Sequence, residues 1–527
     1  MIAQSLSFDS TTATPALKRT APKGYSEKKK KVLAARRELR EKKIAEGIRI
    51  SLGSDLSNRL CPYKTTGEEL KGRHDAVASR IGVYRNQLEQ LLKDFAKIPD
   101  PRRPKSVKHK LVTLLLYGLL TFVFQFTSRR EVNREISRPV FWSALTGLFP
   151  ELESMPHADT LARVLERIEP VEIERAHINL LKRYIRNKKF RKYLIENRYP
   201  LAIDGTQKLV RDGTLWSDEW LARHVGKEDE NGEKAVQRYV YVLEASLVFH
   251  NGMNIPVLTE FLLYEEDDSL GVDNDKTKQD CELKAFKRMV KKLKSYFPSL
   301  NFMILIDGLY ANGPAMDLCR DYGWQYMIVL KDSCLKSVWE EFNSLKDIQS
   351  DNRYSMIWKE RKQKFYWVND IEYTYENNKS IKVHVIVCEE AWEEINSETG
   401  DTEEKHARHV WISSEPLNVL NVHRRCNLAA RYRWGIEDSF NTEKNRGYYY
   451  EHAHSYDWKA MQCYHFLMRM AHMLNELANH SKEGKVFVCE LGMSAFLKFV
   501  KETFSGPWLT ADWIAGFLKK PFQLRLE

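Results

Sequence analysis

The chain has 527 residues, of which 43% are hydrophobic and 29% charged, so it can form several domains with sizeable cores. Its formal net charge of +11 favours a polyanionic partner without establishing one. The eight cysteines form no CxxC pair, which argues against zinc sites and disulfide frameworks. The N-terminal segment MIAQSLSFDS lacks the apolar core of a signal peptide. We therefore expect a soluble, cytoplasmic protein.

The positive charge is concentrated near the N-terminus. Between Leu17 and Ile50, 13 Lys or Arg residues stand against 4 acidic residues, and this excess of 9 is most of the net charge. Residues 1–26 are rich in Ser, Thr, Pro and Ala, a composition typical of disorder. Residues 27–50 contain strong helix formers, which predict a basic helix, either on DNA or as a solvated surface helix. Residues 1–50 are thus expected to be a basic, partly disordered arm.

A helical domain is predicted over residues 51–195. Apolar residues recur at helical spacing in residues 78–98, just before a cluster of prolines. The apolar run from 111 to 126 is too short to span a bilayer comfortably, so we expect a buried helix there. Ser128 and Asp159 resemble helix N-caps. Nothing in this region indicates chemistry, and we expect it to contribute to DNA binding.

Strands and helices alternate over residues 196–332. The strand-like runs are PLAID (200–204), YVYVLEASLVF (239–249), NIPVLTEFLLY (254–264), FMILID (302–307) and WQYMIVL (324–330). Asn251-Gly252 predicts a hairpin, and residues 277–298 predict a basic amphipathic helix. The pattern indicates an α/β multidomain protein whose mixed sheet suits a ribonuclease-H-like core, although other α/β folds share it.

The alternation ends after residue 332. Residues 333–418 are predicted to form a β-rich insertion, with strands at QKFYWVNDIEYTY, SIKVHVIVCEE and HARHVWISS. Helix is predicted to resume near Asn421 and to run without a break to residue 446, inside a segment, 419–482, that completes the core. Residues 483–527 are expected to form a small tail module.

Two aspartates stand where chemistry is expected. Asp204 and Asp307 each end a short apolar strand in this reading, and each is followed by Gly. Carboxylates at the carboxyl ends of neighbouring strands lie at the edge of the sheet, where α/β proteins place their sites. Two such carboxylates can share oxygen-seeking cations such as Mg²⁺. For either Asp alone, a strand-to-loop turn is the more ordinary explanation.

A third carboxylate lies in RYRWGIEDSFNTEKNR (431–446). In a continuous helix, Arg433, Glu437 and Lys444 fall at about 0°, 40° and 20° around the axis, so all three share one face. Trp434, Ile436 and Phe440 are expected to supply the packing contacts. A carboxylate between two cations suits a site that binds metal and phosphate together, whereas a surface Arg–Glu pair is the equally weighted alternative.

The three motifs together resemble those of DDE insertion-sequence transposases. The residues are IDGT (203–206), IDGLY (306–310) and R-W-x-I-E with a Lys seven residues on (433–444). More narrowly, they resemble the bacterial group with a Y-R-E-K signature and a β-strand insertion in the catalytic core. The spacings of 103 and 130 residues between the three acids fit that group, and the likeness covers about residues 150–480. The signature Tyr falls on Ala430.

This resemblance implies a metal-dependent phosphoryl transfer on DNA. Asp204, Asp307 and Glu437 would be catalytic and would hold two Mg²⁺ or Mn²⁺ ions. Arg433 and Lys444 would bind phosphates near the cut end. Trp411, in the insertion, would receive a flipped base, although a core or surface Trp is the better expectation.

The implied partners are double-stranded DNA, as inverted-repeat ends and as target, and a second copy of the chain in a homodimer on DNA. The expected place of action is the nucleoid. Tyr432 could replace the missing Tyr only if the helix begins after residue 432, because two residues in a continuous helix turn a side chain by about 200°. The alternatives are a transposase-derived DNA-binding protein without catalysis and a structure-selective nuclease on the same core.

Overall fold

The computed structural model describes residues 26–48, 60–212, 219–228, 234–263, 275–376 and 378–527. They fall into two compact units. The smaller unit contains Tyr354–Phe365 and Cys388–His409 together with residues 26–48, and the larger unit contains the other described residues. The described residues form a mixed α/β structure that contains helices and a large mixed sheet.

The first part of the larger unit is helical. Its helices are α2 (Thr66–Arg85), α3 (Leu88–Phe95), α4 (Leu111–Val123), α5 (Arg129–Ile136), α6 (Pro139–Leu148), α7 (Ala158–Leu165) and α8 (Pro170–Arg186), and α1 (Glu27–Ala45) belongs to the smaller unit. Ser128 caps α5 as predicted, because its hydroxyl accepts a hydrogen bond from the backbone N–H of Glu131. The predicted cap Asp159 is wrong: it lies inside the first turn of α7, whose N-cap is His157.

The sheet begins with β1 (Tyr199–Asp212), β2 (Leu221–Glu228), β3 (Lys234–Val248), β4 (Asn254–Phe261), β5 (Phe302–Ile306) and β6 (Gln325–Val329), with α9 (Asp275–Tyr296) and α10 (Gly313–Asp321) between strands. β3 pairs antiparallel with β1 and β4, whereas β1, β5 and β6 run parallel to one another. The predicted hairpin at Asn251-Gly252 is confirmed, since it joins β3 to β4 and Gly252 has a φ of 88°. This topology is compatible with a ribonuclease-H-like core.

Four strands follow β6 in the chain. They are β7 (Arg353–Trp358), β8 (Arg361–Tyr375), β9 (Lys379–Ile395) and β10 (Thr402–Ser413), after a helix that the sequence pattern missed, α11 (Lys336–Leu345). In the larger unit the sheet order is β2-β3-β1-β5-β6-β10-β9-β8, with β4 paired to β3. β10 continues the sheet because Trp411, Ile412 and Ser413 pair antiparallel with β6. β-structure is therefore present where it was expected.

The last part of the chain is again helical. It contains α12 (Gly435–Asn445), α13 (Trp458–Asn479), α14 (Lys482–Leu491), α15 (Met493–Ser505) and α16 (Ala511–Leu518). From Ala460 onward α13 is buried on almost every side, and it packs against α4, α8 and β4. A helix enclosed in this way organises a core, so α13 holds the helical part to the sheet. Within the described residues no helix is long and apolar enough to cross a membrane.

In the smaller unit, α1 lies against strand segments of the β-rich region. Three lysines of α1 pair with acidic residues of those strands and their connections: Lys31 with Asp401 at 3.2 Å, Lys42 with Glu393 at 2.7 Å and Lys43 with Glu360 at 2.9 Å. Val32 is the buried apolar contact of the helix. The basic helix predicted over residues 27–50 is thus present in a folded, packed form, and part of its charge is neutralised within the unit.

Candidate active site

Asp204 and Asp307 lie level with each other on neighbouring strands. The parallel pairing of β1 with β5 ends at Ala202 opposite Leu305, and each Asp stands two residues beyond that pair. The prediction that Asp204 ends a short strand is wrong, because β1 continues to residue 212 through its pairing with β3. Asp307 does follow the end of β5. The two carboxylates nevertheless lie at the same end of the β1–β5 pairing, because β1 continues past the point where that pairing stops.

Arg433 connects the first acid to the third. Its Nη1 donates a hydrogen bond to Asp204 Oδ2 at 3.1 Å, and its Nη2 donates one to Glu437 Oε1 at 3.0 Å. The Arg433 side chain is buried, whereas Glu437 is partly open to solvent. A planar guanidinium with donors on both ends can hold two carboxylates at once. The structure therefore brings Asp204, Arg433 and Glu437 together directly.

The pKa values of Asp204 and Glu437 are raised, chiefly by burial and further by the charges of neighbouring acids. Burial raises the pKa of Asp204 to about 6 although Arg433 opposes the change, and the charge of Asp307 raises it further. Burial also raises the pKa of Glu437 against the effect of Arg433, with Asp438 and Asp307 adding to the rise. Asp307 thus lies close enough to act electrostatically on both other acids. One guanidinium does not compensate three carboxylates, so the site favours an additional cation.

A fourth carboxylate stands beside these three, and the sequence pattern missed it. Glu282 of α9 is almost fully buried and accepts a hydrogen bond from Tyr241 Oη at 2.8 Å. A Cβ added to Gly205 would lie 2.7 Å from Tyr241 Oη and 3.1 Å from Glu282 Oε1. Gly205 is therefore required so that these side chains can approach the strand next to Asp204. The available signal was the glycine itself, which marks a close approach.

Lys331 approaches the other aspartate. A Cβ added to Gly308 would lie 3.0 Å from Lys331 Cγ, so the aliphatic part of this exposed lysine crosses the glycine that follows Asp307. Asp307 Oδ1 accepts a hydrogen bond from the backbone N–H of Leu309 at 2.9 Å, which fixes the carboxylate in the turn. The edge thus offers a second cationic side chain, outside the predicted set.

The helix carrying Glu437 begins later than predicted. Residues His423–Ala429 form a π-helical segment and Ala430–Trp434 a 3-10 segment, and the α-helix starts at Gly435. The break lies at Ala429, whose φ of −116° and ψ of −77° depart from helical values. The prediction of one continuous helix over residues 421–446 is therefore wrong, and the 200° rotation that turned Tyr432 away from position 430 does not apply.

The aromatic residues around this helix are arranged differently from the prediction. Ile436 and Phe440 are buried as expected, but Trp434 is 59% exposed and lies 4.8 Å from the Arg433 guanidinium. Trp411 is only 4% exposed, so its ring presents no face on which a base could stack. The structure therefore does not support Trp411 as a base receptor, because its ring is buried. Trp434 presents a solvent-exposed aromatic ring next to Arg433.

Lys444 shares the face of α12 with Glu437, since seven residues amount to nearly two full turns. Its ammonium lies 3.4 Å from Glu451, not on the three acids. Within the described residues, no group of three or more His, Cys, Asp or Glu side chains is gathered closely enough to hold a metal ion. Arg433 occupies that place between Asp204 and Glu437. The donor set still suits a hard cation, because all of its ligands are carboxylate oxygens.

Family models match two stretches of the chain. Residues 269–474 match the family model described as a transposase DDE domain, and residues 92–181 match the model described as DDE_Tnp_1-associated. The first match contains Asp307, Arg433 and Glu437, whereas Asp204 precedes it. A search of curated proteins finds no match.

Proposed function

This chain carries a transposase DDE domain together with the domain associated with it, and on that premise we propose that it is a DNA transposase of the Y-R-E-K group. It cuts DNA at the ends of a mobile element and joins those ends to target DNA. The strands β4, β3, β1, β5 and β6, in their order across the sheet, form its ribonuclease-H-like core. The strands between β6 and α12 are the insertion typical of the group. Asp204, Asp307 and Glu437 are its catalytic acids.

The observation that carries this proposal is the shared position of the three acids. Asp204 and Asp307 stand level at one sheet edge, and Arg433 ties Asp204 to Glu437. These side chains come from two strands and a helix that are separated by 103 and 130 residues in the chain. Their convergence in the fold is what a single reaction centre requires.

The carboxylates of Asp204, Asp307 and Glu437 would hold two Mg²⁺ or Mn²⁺ ions. When bound, such ions supply an activated hydroxyl and stabilise the leaving oxygen of an in-line displacement at phosphorus. The protein residues fix the ligand oxygens: Asp307 through its turn, Asp204 through the strand pairing. Glu437 lies in the first turn of α12. Arg433 would have to release Asp204 or Glu437 before that carboxylate could bind a cation.

The released guanidinium has a role of its own. Arg433 then presents up to five N–H donors to phosphate oxygens next to the cut, a geometry in which arginine binds phosphate by two bonds. Lys444 on the same face of α12, and Lys331 beside Asp307, extend the positive charge along the DNA backbone. Trp434, rather than Trp411, offers an exposed ring for a base displaced at the DNA end.

The DNA partners are the inverted-repeat ends and the target, and a second copy of the chain completes a homodimer on them. The basic arm contributes affinity through charge. In α1, the side chains of Arg36 and Arg40 are exposed and one turn apart, so both can reach phosphates. The place of action is wherever that DNA lies, which is the nucleoid of a bacterial cell.

Purified protein with Mg²⁺, and DNA carrying the ends of the encoding element, test this function. We expect cleavage and joining at those ends, and neither on a scrambled end. Asp204→Ala, Asp307→Ala and Glu437→Ala should each abolish both reactions while end binding persists. Asp438→Ala, at the exposed neighbour of Glu437, is the matched control and should remain active. Cutting without joining or end preference would indicate a nuclease, and binding without cutting a DNA-binding derivative.

A further inference from the structure

A cluster of charged residues is sealed inside the protein directly beside the candidate site. It consists of Lys208 on β1, Glu244 on β3, Glu443 on α12, and three residues of α13, which are His465, Arg469 and His472. None of the six is more than 4% exposed. We call it the buried ion cluster, and it takes no part in the chemistry described above.

Arg469 is the centre of this cluster. Its Nη1 donates to Glu443 Oε1 at 2.9 Å, and its Nη2 lies 2.8 Å from Glu244 Oε2. Nη2 also donates to Ser246 Oγ at 3.3 Å. One guanidinium on α13 therefore holds a carboxylate of α12 with one end and a carboxylate of β3 with the other.

The remaining members complete the shell around the two carboxylates. His472 Nδ1 lies 2.6 Å from Glu443 Oε1, and His465 Nε2 lies 3.2 Å from Glu244 Oε1. Tyr450 Oη and Thr259 Oγ1 donate hydrogen bonds to Glu244. Lys208 of β1 donates a hydrogen bond from Nζ to the backbone carbonyl of Tyr450. The cluster thus holds two carboxylates, one guanidinium and one ammonium, whose formal charges balance with both histidines neutral.

Such a cluster is an inefficient way to stabilise a fold. Removing charged groups from water costs several kcal/mol per ion, and apolar side chains of similar volume often hold a core as well or better. What an ion pair adds is direction: it fixes the distance and the angle between the elements that it joins. The elements joined here are the strand next to Asp204 and the helix of Glu437.

The link to the site is direct on both sides. Glu244 is the cross-strand partner of Asp204 in the β1–β3 pairing. Glu443 lies six residues after Glu437 on α12, about 240° around the axis, so Glu437 points to the site while Glu443 points to the core. A rotation or shift of α12 that moved Glu437 would also pull Glu443 away from Arg469.

We propose that Arg469 is a positioning residue, which sets the distance between Asp204 and Glu437 by clamping α12 to β3. The inference rests on the proposed function, because the distance matters only if the two acids share ligands. Its consequence is that weakening the clamp lowers the affinity for divalent cations and slows cleavage, without changing how the protein binds DNA.

Arg469→Lys tests the clamp while retaining the buried positive charge. A lysine reaches one carboxylate but cannot bridge two, since it lacks the planar fork of arginine. The measurements are the dissociation constant for Mn²⁺ in DNA-free protein by electron paramagnetic resonance, and the single-turnover rate of end cleavage at saturating Mn²⁺. We expect the dissociation constant to rise and the rate to fall by about tenfold each. Affinity for end DNA should stay within about twofold.

Arg80→Lys is the matched control. Arg80 is equally buried, but its hydrogen bonds go to Tyr84 of α2 and to Asn475 and Asn479 of α13. This control should leave both readouts unchanged. An equal loss in Arg80→Lys, or wild-type Mn²⁺ affinity in Arg469→Lys, would overturn the clamp.

A second variant covers the case in which Arg469→Lys does not fold. The fourfold change Lys208→Met, Glu244→Gln, Glu443→Gln and Arg469→Met removes all four formal charges and keeps side-chain volume. A folded fourfold variant with weakened Mn²⁺ binding supports the proposal, and one with wild-type binding refutes it. If neither variant folds, the cluster serves folding itself and the positioning role is rejected. If wild-type protein binds no Mn²⁺, the proposed function fails instead.

Discussion

Two groups of carboxylates lie side by side on the central sheet, and they are built in opposite ways. At the candidate site, Asp204 and Glu437 share one guanidinium, that of Arg433, and Asp307 acts on both of these acids electrostatically. In the buried ion cluster, two carboxylates share a guanidinium and an ammonium. Asp204 and Glu244 are cross-strand partners on β1 and β3, so the two groups are adjacent at this pair of residues.

The acid pKa values move in opposite directions in the two groups. The pKa of Asp204 is raised to about 6, whereas Arg469 and His472 overcome the effect of burial and lower the pKa of Glu443 to about 2. In the buried ion cluster, the cationic groups of Arg469 and Lys208 offset the two carboxylates. The candidate site lacks positive charge, and this deficit is what a divalent cation or a bound ligand would remove.

Glu244→Gln should give the largest effect on stability. The change removes one of two buried carboxylates and leaves Arg469 and Lys208 without full compensation, which typically costs about 3–5 kcal/mol. Equilibrium unfolding in urea should show the midpoint falling with an unchanged slope. A midpoint equal to that of the wild type would mean that the cluster is not charge-balanced as described.

Arg433→Ala should slow end cleavage by about 100-fold. Each charge-assisted bond contributes roughly 1.5–3 kcal/mol, and tenfold in rate corresponds to about 1.4 kcal/mol, so losing one such contact to DNA phosphate is enough. The exposed Arg424, in the preceding helical segment, supplies the matched control, and Arg424→Ala should cleave normally. Equal rates in both variants would remove Arg433 from the reaction centre.

Asp204→Asn should stabilise the cation-free protein while abolishing cleavage. The unfolded chain releases this proton near pH 3.8 and the folded protein near pH 6, so folding loses stability as the pH rises between those values. At pH 7.5 the substitution therefore raises the free energy of unfolding by about 3 kcal/mol. At pH 4 the gain should vanish, and a gain independent of pH would contradict the raised pKa.

The smaller unit has cations paired with carboxylates and cations that face solvent. We expect changes to these residues to have the smallest effect. Lys31 and Lys42 pair with strand carboxylates, whereas Arg36 and Arg40 face solvent. Arg36→Ala with Arg40→Ala should lower the slope of log affinity for DNA against log salt by about 2, because each phosphate contact contributes about 0.9. The control, Lys31→Ala with Lys42→Ala, should change it less. An unchanged slope in the first pair would place α1 away from DNA.

Local patterns in the sequence identified much of the fold and the three acids. Apolar runs located β3 to β6, and Asn251-Gly252 located the hairpin, because turn chemistry and burial act over a few residues. Asp307 was correctly placed at a strand end. Asp204 was not, because β1 continues beyond it. This continuation is polar, and its pairing with β3 is what makes it a strand. The acids could still be paired because their strands are parallel neighbours.

Features that depend on distant residues could not be predicted. Glu282 and the buried ion cluster have no local signature, since each carboxylate finds its partners in other elements. The start of α12 at Gly435 depends on the backbone break at Ala429. The residues around this break are helix formers, so the sequence pattern does not indicate it. The burial of Trp411 and the exposure of Trp434 depend on packing against other elements, which the local sequence does not reveal. Lys444 as a phosphate ligand stays a prediction.

The central claim is that the excess negative charge of the candidate site is filled by divalent cations. Titration of DNA-free protein with Mn²⁺, followed by electron paramagnetic resonance, measures this directly. Wild-type protein should bind Mn²⁺, and Asp307→Asn should lose that binding while Asp438→Asn, on the exposed side of α12, retains it. If Asp307→Asn binds Mn²⁺ with wild-type affinity, the three acids do not form the cation site.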